Sequence, residues 1–281
     1  MIRSILIAAA LVTITLVCAP LQWISVKLGL PMRRLIPMYY HRACLKLFGV
    51  RVELRGEPTT NRPLLFVANH SSWLDHLILS AATPVVFIAK KEISSWPVFG
   101  TLARLQRSIF VDRSRRQETG AVNQEISARL TSGDPVVLYG EGTTGDGNRV
   151  LPFRSALLGA MSMTVGKGET GYLQPVSIAY TKLQGLPMGR QHRPVAAWFG
   201  DMSITKHIGR VLRMGGIDAV VTFGPAMAVT PEMDRKSVAK ALEQSVRRMT
   251  SAARSGRPEI AKSGNALEKS SKPVSLLAET R

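Results

Sequence analysis

Leu64-Leu65-Phe66-Val67-Ala68-Asn69-His70-Ser71-Ser72-Trp73-Leu74-Asp75-His76 begins as an unbroken apolar run and changes at Asn69 into a polar loop. The run reads as a buried strand, and the residues after the loop as the start of a helix. His70 stands at the mouth of the strand with Asp75 five positions on. Five helical steps of about 100° leave two side chains roughly 140° apart, so the pair cannot share one face of a single helix. The two can meet if His70 lies in the loop and Asp75 in the first helical turn, for which Ser71 and Ser72 are suitable caps. A neutral imidazole oriented by a carboxylate is the arrangement of a general base. Taken alone, the same residues also fit a loop histidine beside a helix-capping acid. Asp75-His76 raises a metal site too, and with His70 a metal-dependent hydrolase. No His-x-His or Cys pair stands nearby to complete a zinc cluster, and the chain has only five histidines. No metal or other cofactor is expected.

Outward from this stretch, short apolar runs alternate with helical patterns. Strands are expected at residues 50–54, 64–68, 85–89, 109–111, 136–139, 172–179, 195–199 and 219–223. Helices are expected after His70, at 115–130, 154–165 and 204–213, and at 231–253, with Thr230 as N-cap and Pro231 at the first helical position. That alternation predicts an α/β fold, a mixed sheet covered by helices. Residues 49–253 form the main domain in this reading. From 254 to 281 apolar periodicity gives way to Ser, Lys, Gly and Pro, which predicts a disordered tail.

Residues 1–48 differ in character. Ile5 to Val26 is largely apolar and just long enough to span a bilayer, and a cleaved signal is disfavoured by Cys18-Ala19-Pro20. Lys27, Arg33, Arg34, Arg42 and Lys46 follow it, against Arg3 before it, so the positive-inside rule puts the main domain in the cytoplasm. Residues 35–48 mix apolar and basic side chains as an interfacial helix does. The segment is expected to associate with the membrane, by spanning it or by lying in it. Lys and Arg number 37 against 19 acids, a net charge of +18. Such an excess implies anionic company: a lipid surface or an acidic donor. Nucleic acid is not an expected partner, since no zinc knuckle or recognition helix is visible and aromatics are sparse.

Two further clusters carry chemistry. Ile109-Phe110-Val111-Asp112-Arg113 ends a short strand in a guanidinium suited to bidentate capture of phosphate or carboxylate. Tyr139-Gly140-Glu141-Gly142-Thr143-Thr144-Gly145 contains Gly-x-Gly-x-x-Gly after a strand, but Gly145, Gly147 and Pro152 break the helix that a dinucleotide site needs. What remains is an acid held in a tight glycine loop, suited to positioning a substrate.

In order, Asn69-His70 with Asp75, Phe110-Val111-Asp112-Arg113, Glu141-Gly142-Thr143 and Pro175-Val176 resemble the four motifs of the glycerolipid acyltransferases. Lys90-Lys91-Glu92 with Pro97 and Gly100 looks like that family as well. The resemblance covers residues 64–176 and implies transfer of a fatty acyl group from a coenzyme A or acyl carrier protein thioester to a lysolipid hydroxyl. It implies that His70 is the base, that Asp75 orients it, and that Arg113, Glu141, Gly142, Thr143 and Thr144 contact substrate. Ser71 and Ser72 keep an acyl-enzyme formally open. Three positions depart from the pattern. Thr144 stands where the family usually has arginine, Arg107 where it usually has glycine, and Phe153-Arg154-Ser155-Ala156 replaces Phe-Lys-x-Gly. The run 141–156 with 174–180 looks most like the lyso-ornithine lipid acyltransferases of bacteria, with the 1-acylglycerol-3-phosphate enzymes as the alternative.

Overall fold

The computed structural model describes residues 2–112, 119–166 and 170–256. The elements run α1 (Ile2–Lys27), α2 (Met32–Phe48), β1 (Val50–Arg55), β2 (Leu64–Ala68), α3 (Leu74–Ala82), β3 (Val86–Lys90), α4 (Phe99–Leu105), β4 (Ile109–Val111) and α5 (Thr119–Thr131). They continue with β5 (Val136–Tyr139), α6 (Gly159–Thr164), β6 (Gly171–Leu183), β7 (Leu186–Pro187), α7 (Arg193–Ala196), α8 (Ile204–Met214), β8 (Ile217–Phe223), β9 (Met227–Val229) and α9 (Arg235–Ser255). The sheet order is β1-β8-β6-β2-β5-β3-β4, with β7 and β9 pairing onto β6. β6, β2, β5, β3 and β4 are mutually parallel, whereas β8 is antiparallel to β6 and parallel to β1. The sheet is mixed and lies between helices, as the alternating pattern predicts.

Why β2 is central can be read from its side chains. All five of its residues are buried, because helices cover both faces. Leu64, Phe66 and Ala68 point into the core shared with α2 and α3, and Leu65 and Val67 into the core shared with α5, α6 and α9. β5 and β6 flank β2, so the loops leaving β2 and β5 emerge side by side at the carboxyl edge of the sheet. Parallel α/β sheets bind their ligands at such an edge.

Several expected elements shift. Residues 195–199 are not a strand: Arg193–Ala196 is a short helix with Pro194 in its first turn, and Trp198 N–H donates to Ser71 O at 2.8 Å. The segment therefore ties α7 to the loop that follows β2 instead of extending the sheet. α9 begins after Asp234, whose carboxylate accepts from the N–H groups of Lys236 and Ser237, so Asp234 and not Thr230 is the cap. Asp234 offers a full carboxylate to two exposed N–H groups at the positive end of the helix. α9 also runs through Arg254 and Ser255, where the tail was expected to begin. Residues 257–281 lie outside the described residues.

Candidate active site

The loop leaving β2 is held by side chains that bond across it. Asn69 bonds Ile178 of β6 twice, Nδ2 donating to its carbonyl at 2.9 Å and Oδ1 accepting its N–H at 2.8 Å. His70 is thereby fixed just past the end of β2, beside the middle of β6. Its Nδ1 lies 2.8 Å from Asp75 Oδ2, in the first turn of α3, as the spacing requires. Of the two expected caps, Ser72 accepts through Oγ from the N–H of Leu74 at 3.4 Å, at the start of this helix. The backbone N–H groups of Ser71 and Ser72 in turn donate to Asp75 Oδ2 at 2.7 and 2.9 Å, so the acid also acts as acceptor for the loop. Tyr180 of β6 donates its hydroxyl to Asp75 Oδ1 at 2.6 Å. With four donors, Asp75 can be fully buried as a carboxylate.

These bonds settle what the imidazole can do. A carboxylate on Nδ1 favours the tautomer with the proton there and leaves Nε2 to accept one. The ring stacks on Tyr139 with centroids 3.9 Å apart and planes 13° apart, and His76 touches it edge-on at 5.4 Å. Tyr139 and Tyr180 escaped sequence reasoning. Tyr139 ends β5 and Tyr180 lies within β6, just past the expected strand 172–179; both read as core, and only the fold brings them to His70 or Asp75.

The loop leaving β5 meets the same site. Gly142 takes φ 68°, a left-handed conformation that a residue with a side chain adopts only with strain, and a Cβ on Gly140 would lie 2.6 Å from the ring of Phe153. Glu141 is buried under the loop, its Oε1 accepting from His70 N–H at 3.4 Å, and Gly145 N–H donates to the His70 carbonyl at 2.9 Å. Glu141 therefore supports the backbone of His70. Thr143 is exposed and Thr144 half-buried. Arg113 lies outside the described residues. Of the two arginines that could replace the cation missing at Thr144, Arg107 is committed elsewhere, forming a two-pronged pair with Asp134 at 2.6 and 3.0 Å. Arg154 is exposed and folds over Gly142.

Burial is the largest influence on Glu141, and it pushes the carboxyl up from 4.5 to about 8. The unfolded chain releases this proton near its ordinary value and the folded chain holds it to about pH 8, so stability falls as pH rises through that window. Glu141→Gln removes the titration while keeping an acceptor for His70 N–H. Its melting temperature is expected to vary less than that of the native protein between about pH 4.5 and 8. Parallel melting curves across that range would show that Glu141 does not hold its proton.

A family model described as acyltransferase matches residues 50–192. The lyso-ornithine lipid O-acyltransferase of Brucella abortus is 45% identical over 259 residues, covering 91% of this chain and 97% of the relative. That of Rhizobium meliloti is 43% identical over 265 residues, covering 94% and 91%. Among solved structures, the 1-acyl-sn-glycerophosphate acyltransferase of Thermotoga maritima superposes with a TM-score of 0.58 at 20% identity, over 89% of this chain and 95% of that one.

Proposed function

The chain belongs to the acyltransferase family, and on that premise we propose that it moves a fatty acyl group from a thioester to the hydroxyl of lyso-ornithine lipid. The observation that carries the chemistry is the His70–Asp75 pair at 2.8 Å, with Asp75 anchored by Tyr180 and two backbone N–H groups. His70 Nε2 takes the proton of the acceptor hydroxyl as its oxygen attacks the thioester carbonyl. The tetrahedral intermediate then expels the thiolate, which recovers the proton from the imidazolium. Ser72 is wholly buried and Ser71 nearly so, which supports direct transfer over an acyl-enzyme. The donor in this reading is the thioester of acyl carrier protein or coenzyme A.

The acceptor follows from charge. A phosphomonoester carries nearly two negative charges near neutrality, and each charge-assisted hydrogen bond to it is worth about 1.5–3 kcal/mol. Threonine at 144 offers only a neutral donor, which suits a head group with one carboxylate and one ammonium. The second reading is 1-acylglycerol-3-phosphate, favoured by the exposed guanidinium of Arg154 over Gly142. Both acceptors assayed with one acyl donor decide between them. The native enzyme is expected to prefer lyso-ornithine lipid, and Thr144→Arg to move toward the phosphate acceptor by roughly tenfold or more. Native preference for the phosphate acceptor would reverse the assignment.

Location follows from how α1 sits. Ile5, Leu6, Leu16, Val17 and Leu21 are each more than half exposed, and α1 is long and apolar enough to cross a bilayer. It is nevertheless docked to the domain at both ends. Arg3 lies against Gly49 and Gly215, and Gln22 Nε2 donates to Leu105 O at 2.8 Å. A helix tied to the domain near both ends lies in one leaflet and does not leave the domain to span two. Arg34 and Arg42 turn inward, to Asp134 and to the Ala81 carbonyl. Lys206, Arg210 and Arg213 on α8, which packs beside α1, are exposed toward an anionic surface. The proposed place is the cytoplasmic face of the inner membrane. The acceptor assay, run on membrane and soluble fractions, should find the activity in the membrane fraction.

A further inference from the structure

Four arginines from distant parts of the chain meet at the end of α9. Arg149, Arg193, Arg247 and Arg254, with Thr250 and Ser251, line an open cavity of about 450 Å³. Arg193 and Arg254 both reach Asn148, one through its side-chain oxygen at 3.3 Å and the other through its carbonyl at 2.9 Å. The Nε atoms of both arginines are buried without a hydrogen-bond partner. The local acids are Asp146, which accepts from Asn148, and Glu243, which pairs with Arg247 at 2.8 Å; Glu141 also faces Arg254, but burial keeps its proton on to about pH 8. Four cations against these two carboxylates leave about two positive charges, the complement of a phosphate group. Burial, with Arg193 adding to it, brings the Arg254 guanidinium down to about 10. Such clustering of like charges is relieved by a bound anion.

Position narrows the class of anion. Thr250 bonds Ser177 at 2.7 Å, and the neighbours of Ser177, Val176 and Ile178, point to the opposite face, where α1, α2 and α3 pack. The pocket therefore opens on the α9 side of the sheet, away from the helices assigned to the lipid. An anion arriving there comes from water. Gly145, bonded to the His70 carbonyl, is three residues from Asn148 at the rim, so the loop spans at most about 11 Å between them. A pantetheine arm, with two amide units and a terminal ethylene group between its phosphate and its sulfur, is longer than that.

We propose that the pocket of Arg149, Arg193, Arg247 and Arg254 binds the phosphate of the phosphopantetheine thioester that donates the acyl group. This rests on the acyl-transfer reading of the adjacent site. The phosphate is common to acyl carrier protein and coenzyme A, and the donor approaches from the water side while the acceptor lipid comes from the membrane side. Arginine suits the role, because its planar fork grips phosphate oxygens two at a time.

The test uses the full-length protein in detergent or nanodiscs, as native and as His70→Ala, Arg193→Gln and Arg247→Gln. Binding of 4′-phosphopantetheine, pantetheine, coenzyme A, and holo- and apo-acyl carrier protein is measured by titration. Donor and acceptor KM are measured separately on the native protein and the two arginine variants. Arg247 sits partly exposed on α9, so its variant keeps the assay interpretable if Arg193→Gln unfolds. Phosphopantetheine is expected to bind native and His70→Ala alike, and each arginine variant roughly tenfold or more weakly. Pantetheine should not distinguish the variants. Donor KM should rise by a similar factor with acceptor KM unmoved. Tighter holo- than apo-carrier binding that depends on the arginines identifies the carrier as source, and the same dependence for coenzyme A alone identifies coenzyme A. Equal binding of holo- and apo-carrier together with arginine-independent coenzyme A binding would overturn the proposal. So would a rise in acceptor KM alone. Arginine-dependent phosphopantetheine binding without any acyl transfer by the native protein would count against the transfer reading and leave the pocket standing.

Discussion

Replacing His70 with alanine is expected to lower the acyl-transfer rate by roughly 10²–10⁴-fold, the usual cost of losing a general base. The fold should survive. Asp75 loses one of its four partners and keeps Ser71 N–H, Ser72 N–H and the Tyr180 hydroxyl, so no buried carboxylate is orphaned. The ring also gives up its stacking contact with Tyr139, which together with the lost hydrogen bond should cost about 1–3 kcal/mol of stability. Initial rates at saturating donor and acceptor, beside a thermal melt, separate the two effects. A variant that melts close to the native protein and turns over within tenfold of it would eliminate His70 as the base.

The pairing of His70 with Asp75 was legible in the sequence because the two residues are local. A five-residue apolar run followed by a polar loop fixes where His70 emerges, and five positions fix where Asp75 can stand. The acid's other anchor was not legible. Tyr180 lies 105 positions from Asp75 and reads as one more core residue of a long apolar strand. The same distance hid the arginine pocket, whose members come from a loop, a short helix and α9. Val195–Phe199 was misread for another reason. Its apolar residues are buried or half-buried beside the loop that follows β2, and apolar runs of this length carry no period that separates strand from packed coil. Thr230-Pro231 looked like a helix start because both residues favour one, but three positions later Asp234 offers the stronger acceptor.

The acid itself allows a sharper test than its removal. Asp75→Asn keeps the shape and volume of a fully buried side chain, so the loop should remain in place. Its one carbonyl oxygen can still accept from Ser71 and Ser72, and its NH₂ can donate to Tyr180, whose hydroxyl accepts as readily as it donates. The negative charge is gone. A neutral amide no longer stabilises the imidazolium that forms as the acceptor hydroxyl is deprotonated. If the amide turns its NH₂ toward His70, it also favours the tautomer with the proton on Nε2, where the base must be empty. Both consequences fall on the chemical step. The expected result is kcat lower by roughly 10²–10⁴-fold with the KM of donor and acceptor changed little. Tyr180→Phe is the control for support without charge. It leaves Asp75 Oδ1 unpaired in a site closed to water and should cost about 1–3 kcal/mol of stability, with a smaller loss of kcat because the carboxylate remains. If the two variants lose kcat equally, Asp75 acts by holding the loop and not by its charge. If Asp75→Asn keeps more than a tenth of native kcat, the carboxylate is not the partner that the base requires.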